Sequence, residues 1–173
     1  MRHIKSLCSA SLLLLLTMGS STPPPVDIIK SHVKLLAETT VVRIQKVINE
    51  FPMPPDIYFI DTDFIPHIAP EKPVEGLSSI AEKLKNFNVI LLNLLNLEGM
   101  DQIQQDIVSL RDIAPSLAAS FSCPLKDPES DGQLSALLKN NVTFQISIAQ
   151  VALTRLQEFL TQFINSLDQL KTC

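Results

Sequence analysis

The chain has 173 residues, of which 46% are hydrophobic and 18% charged, with a net charge of −4 and a pI near 5.3. That length suits one compact domain. The acidic balance lacks the basic footprint that a nucleic-acid-binding protein carries.

Residues 1–21 read as a secretory signal. Arg2 and Lys5 give a basic start, Leu7 to Met18 an apolar run, and Gly19, Ser20 and Ser21 small residues for cleavage. The run is shorter than the roughly 20 apolar residues that a membrane span needs. Cleavage is expected after Ser21, leaving 22–173 as a single extracellular domain. Cys8 leaves with the signal, so Cys123 and Cys173 remain as one pair. In an oxidising compartment an even pair implies one disulfide. Closing a loop of about 50 residues, it is worth about 4 kcal/mol by chain entropy.

Pro23, Pro24 and Pro25 form a stiff lead-in to a first helix from Val26 to about Asn49. Ile29, Val33, Leu36, Ile44, Val47 and Phe51 recur at three- and four-residue steps, with Thr40 as a polar gap. Proline has no amide proton and clashes inside a helix, so Pro52, Pro54 and Pro55 end it. Six of the twelve prolines lie between Pro52 and Pro73, which makes this stretch a long loop. Ile57, Tyr58, Phe59, Ile60, Phe64 and Ile65 make it too apolar for a plain linker.

A second helix is expected from Val74 or Gly76 to Asn96, on Leu77, Ile80, Leu84, Phe87, Leu91 and Leu94. Its last turns are apolar nearly all round, which predicts burial on two sides. After a short turn at Asn96–Gly99, a third helix runs from Met100 to Phe121. Its stripe is Met100, Ile103, Ile107, Leu110, Ala114, Leu117 and Phe121, with Pro115 predicting a kink. Residues 123–141 form a second loop, with room for a short helix from Leu134 to Lys139. The fourth helix is expected from about Thr143 to Leu170. Ile146, Ala149, Leu153, Leu156, Leu160, Phe163, Leu167 and Leu170 make its stripe.

No segment shows sustained period-two alternation, so the fold class is all-α. A helix of about 20 residues is about 30 Å long. Returning along it takes at least about nine extended residues. The first and third connections are long enough for that and the second is not. The expected topology is a four-helix up-up-down-down bundle with two crossover loops, although long loops do not forbid a plain up-down bundle.

Residues that carry chemistry are sparse. Beyond the signal only His32 and His67 remain, and neither sits in a ligand cluster. There is no nucleophile elbow and no phosphate loop. Asp106, Asp112 and Glu158 fall on polar helix faces, where carboxylates ordinarily meet solvent. The expectation is no enzyme, no metal, no cofactor and no membrane insertion. Asn141-Val142-Thr143 is an N-glycosylation acceptor pattern, and Asn141 also suits a helix cap.

Several segments resemble the leptin family. Ser109-Leu110-Arg111-Asp112-Ile113, leading to Cys123-Pro124-Leu125, is similar to its third helix and cysteine. Val151 to Gln157 is similar to its fourth helix, Asp63-Phe64-Ile65-Pro66 to its first crossover loop, and Val42-Arg43-Ile44 to its first helix. The chain also ends on cysteine, as leptins do. The resemblance implies a long-chain helical cytokine hormone of energy balance and appetite. Such a hormone circulates as a monomer. It binds the ectodomain of a single-pass cytokine receptor and signals through an associated tyrosine kinase.

By the same resemblance, one receptor face carries Thr39 and Arg43 from the first helix, with Gln102, Ser109, Asp112 and Ile113 from the third. Ser109 stands where the family has asparagine, and His32, Leu35 and Glu38 also depart from it. A second face carries Asp63, Phe64, Ile65 and Ser147. Thr62 replaces a family leucine there, and Ile148 a polar neighbour. On physical grounds Phe64 and Ile65 form an exposed apolar anchor, or Phe64 folds back over the bundle. Arg43 offers a carboxylate-binding fork or a solvated charge. Rival readings are an interleukin-6-like or growth-hormone-like cytokine, and a secreted lipid carrier. The low charge content and a disulfide closing a compact core speak against the last.

Overall fold

The computed structural model describes residues 25–51, 63–67, 76–94, 98–125, 132–140 and 142–170. The signal segment, most of the first crossover, Asn141 and Cys173 lie outside them. The elements are α1 (Val26–Glu50), α2 (Leu77–Leu92), α3 (Met100–Ser120), α4 (Gly132–Asn140), a 3-10 turn (Val142–Phe144) and α5 (Gln145–Ser166). Among the described residues there is no strand, and the all-α expectation holds.

Local chemistry explains the helix ends. Pro25 is extended, at φ −52° and ψ 141°, and its carbonyl accepts the amides of Ile28 and Ile29. Asp27 in the first turn faces the positive end of the α1 dipole. Four β-branched residues, Thr39 to Val42, interrupt an otherwise favourable helix sequence. The two threonines donate their hydroxyls to the carbonyls of Leu35 and Leu36, and packing carries the segment through. α2 ends at Leu92, four residues before the expected Asn96. There the Asn93 side chain caps the Val89 carbonyl at 2.8 Å while its amide tightens onto Ile90.

At the far end of α3, Ser122 adopts φ 56°, and the amides of Ser122 and Cys123 return to the carbonyls of Ala119 and Ala118. This left-handed stop turns the chain back and leaves Cys123 buried. Helix α3 continues through Pro115, which is exposed, although proline has no amide proton to give to the preceding turn.

Contacts establish the directions. Helices α1 and α3 touch at Lys30 with Phe121, at Arg43 with Asp106, and at Val47 with Gly99, so they are antiparallel. α2 and α5 touch at Phe87 with Phe159 and at Asn93 with Gln145, and are also antiparallel. A link of a few residues between Asn93 and Gly99 makes α2 and α3 antiparallel. Therefore α1 and α2 run one way, and α3 and α5 the other. This is the up-up-down-down bundle expected from the loop lengths.

α1 packs on α3 and α5, and α2 packs on α3, α4 and α5. At the centre Phe87, Phe159 and Phe163 form a chain of rings, with centroids 5.8 and 6.2 Å apart. Ile44, Ile103, Ile107, Leu156 and Leu160 surround them in the same core. The buried face of α5 is wider than its expected stripe. Ile148, Ala152 and Phe159 are buried while Ile146 is 55% exposed, because α5 meets two neighbours and needs a broad apolar face. The expected two-sided burial of α2 holds for Ile90 and Leu91, but Leu92 faces solvent.

Candidate functional site

The principal cluster lies on the seam between α1 and α3. Gln102, Asp106, Ser109 and Ile113 follow one another along α3 at steps of three and four, as do Thr39 and Arg43 along α1. Asp106 joins the two rows. Its Oδ2 accepts from Arg43 Nη1 and lies 3.2 Å from the Thr40 hydroxyl. Its Oδ1 accepts from Gln102 Nε2 at 3.1 Å. The Thr40 proton serves either Asp106 or the Leu36 carbonyl at 2.8 Å, one at a time.

This overturns the reading of Asp106 as a solvated carboxylate, since it is only 4% exposed. A buried carboxylate requires a charge partner and hydrogen bonds, and the cluster supplies both. Arg43 is correspondingly not a plain solvated charge. Its side chain is engaged at one end yet remains 38% exposed. The apparent polar gap at Thr40 is a buried residue facing the carboxylate. A polar residue interrupting an apolar stripe is a signal that the sequence carries, whereas the acid opposite it, 66 positions away, is not.

Around this centre Gln102 and Ser109 are exposed, and Thr39 and Ile113 are half-buried. Asp112 lies further round α3, where its Oδ1 accepts from Arg111 Nε and Nη2 at 3.1 and 2.9 Å. His32 is exposed. Among the described residues no group of His, Cys, Asp and Glu is arranged to hold a metal ion, and no helix is long and apolar enough to cross a membrane.

The second predicted face is only partly at the surface. Asp63 is exposed and Phe64 half-buried, but Ile65 has no exposure and belongs to the core. Arg155 of α5 donates from Nη1 to the Ile65 carbonyl at 2.7 Å, holding this turn on the bundle. The exposed Phe64–Ile65 anchor is thus corrected: Ile65 points inward, and Phe64 packs against the core cluster. Ser147 is also buried, at 3% exposure, because the start of α5 is covered on that side. Neither Ile65 nor Ser147 offers a partner its side chain in this arrangement.

At the pole where α3 ends, Lys30 Nζ sits 5.4 Å from the Phe121 ring centroid, a cation–π contact. Beside it Cys123 is disulfide-bonded. Its expected partner Cys173 and the acceptor Asn141 lie outside the described residues.

A helical bundle with a polar seam is a shape shared by many chains, and comparison with known proteins separates them. A family model described as Leptin matches residues 25–173. The chain belongs to the leptin family. It is similar to leptin from Sminthopsis crassicaudata, 30% identical over 152 residues covering 86% of this chain and 87% of that one. Leptins from Canis lupus familiaris and Mus musculus are each 31% identical with the same coverage, over 152 and 156 residues. The chain is therefore a leptin-like hormone, and the leptin-family match spans α1 through α5. It covers both the α1–α3 seam and the Asp63–His67 turn, so each face can be considered within one hormone fold.

Proposed function

We propose that the chain is a secreted hormone that binds the ectodomain of a leptin-type single-pass cytokine receptor through its α1–α3 seam. Thr39, Arg43, Gln102, Ser109, Asp112 and Ile113 form the primary contact. Asp63 and Phe64 form a second contact, needed to assemble a receptor complex that activates an associated tyrosine kinase. The physiological output is control of energy balance and appetite. The free hormone is a monomer, residues 1–21 are removed on secretion, and Cys123 pairs with Cys173.

The observation that supports this reading best is the mixed character of the seam. It presents hydroxyls, amides, an engaged guanidinium and a half-buried isoleucine on a rigid two-helix surface. Such a surface suits specific protein recognition, with polar groups setting register around a modest apolar centre.

The test is ectodomain binding measured beside kinase activation in receptor-bearing cells. Arg43→Ala and Asp112→Asn should weaken binding. The pair Asp63→Ala with Phe64→Ala should leave binding near wild type and reduce kinase activation, producing an antagonist. Full activation by that folded double variant would reject the two-face assignment. Wild-type binding by both seam variants would reject the seam.

A further inference from the structure

We infer that Asp106 is a positioning residue for receptor recognition: a buried carboxylate that sets the presentation of Arg43 and Gln102 without touching the partner itself. The inference rests on the seam being the primary contact. It differs from that reading by assigning a role to a residue outside the contact set, and by a mechanism that can fail independently.

The geometry separates Asp106 from its neighbours. At 4% exposure its carboxylate has almost no surface to give a partner. Both oxygens are occupied from inside, Oδ2 by Arg43 with Thr40 alongside, and Oδ1 by Gln102. Arg43 comes from α1 and Gln102 from α3, and each carries surface that a partner can reach. One buried acid therefore links two surface donors across a helix–helix seam.

The energetics favour such a device. Arginine and glutamine side chains lose rotamer freedom when a partner immobilises them, and the loss opposes binding. A guanidinium has five N–H donors in a rigid fork. Fixing one edge on a buried acid orients the plane while leaving other donors for a partner. The Gln102 amide likewise gives one N–H to Asp106 and keeps its carbonyl oxygen. The ordering is thus completed during folding, before the partner arrives. Because Asp106 cannot be reached, an effect of its charge on affinity passes through the side chains that it holds, and of these Thr40 is buried while Arg43 and Gln102 reach the surface.

A double-mutant cycle tests this with the leptin-type receptor ectodomain as the probe. Asp106→Asn keeps the size and removes the charge that anchors Arg43. In the wild-type background it should raise Kd about tenfold. In the Arg43→Ala/Gln102→Ala background it should change Kd less than about twofold, since nothing remains to be positioned. An equal loss in both backgrounds would overturn the inference and make Asp106 a general packing residue. Unchanged affinity of Asp106→Asn in the wild-type background would overturn it as well.

If Arg43→Ala/Gln102→Ala itself binds like wild type, the seam is not the contact, and the inference falls with that reading. Should Asp106→Asn not fold, the wild-type protein decides by nitrogen NMR. A held Arg43 gives separate, slowly exchanging Nη signals. One averaged signal from a freely rotating guanidinium would refute the mechanism.

Discussion

Phe159→Ala removes the middle ring of the core. Phe159 has no solvent exposure and stacks between Phe87 at 5.8 Å and Phe163 at 6.2 Å. Truncating a buried phenylalanine costs about 3–5 kcal/mol, part of it from the cavity left behind. Leucine at the same position keeps most of the apolar volume and loses the two ring contacts. At about 0.5–1.5 kcal/mol per aromatic pair, Phe159→Leu should cost about 1–3 kcal/mol. Urea unfolding followed by far-ultraviolet circular dichroism measures both. With a slope of about 2 kcal/mol per molar, the midpoint should fall by about 2 M for alanine and about 1 M for leucine. The slope itself should not change, because the surface exposed on unfolding is nearly the same. An alanine cost below about 1 kcal/mol would show that Phe159 does not bridge α2 and α5. Equal costs for alanine and leucine would show that ring stacking contributes nothing beyond volume.

Ile65→Ala should destabilise by about 2–5 kcal/mol as a core truncation, and an unchanged urea midpoint would return Ile65 to the surface. Gly99 sits at φ +87°, and an added Cβ would lie 3.1 Å from Val47 Cγ2. Gly99→Ala should therefore cost about 1–2 kcal/mol from backbone strain, and a melting temperature equal to wild type would contradict that geometry. Cys123→Ser should cost about 2–5 kcal/mol, and non-reducing peptide mapping of the wild type should recover Cys123 joined to Cys173. Detection of a free thiol at Cys173 in folded protein would refute that pairing. Expression in a eukaryotic secretory host should add mass at Asn141 that an N-glycan-cleaving enzyme removes. An unmodified mass would show that the acceptor pattern at Asn141 goes unused.

The helices, their approximate ends and their up-up-down-down order were legible in the sequence. Three- and four-residue spacing of apolar side chains is a local property, and proline removes a helical hydrogen bond wherever it stands. Loop reach then limits which neighbours can be parallel. The pairing of Asp106 was not legible, because its partners Arg43 and Thr40 stand 63 and 66 positions away on another helix. Periodicity along α3 alone puts that carboxylate at the edge of the polar face. Only the approach of α1 closes solvent from it.

The burial of Ile65 has the same origin. Its carbonyl is held by Arg155, 90 positions later, and a loop sequence says nothing of which helix it will cross. Phe159 was absent from the expected stripe for a related reason. A single stripe describes a helix with one neighbour, whereas α5 packs against both α1 and α2. A segment's own pattern determines which residues favour burial. Whether a residue at the margin is covered depends on the helix that arrives beside it, and that contact exists only after the chain has folded.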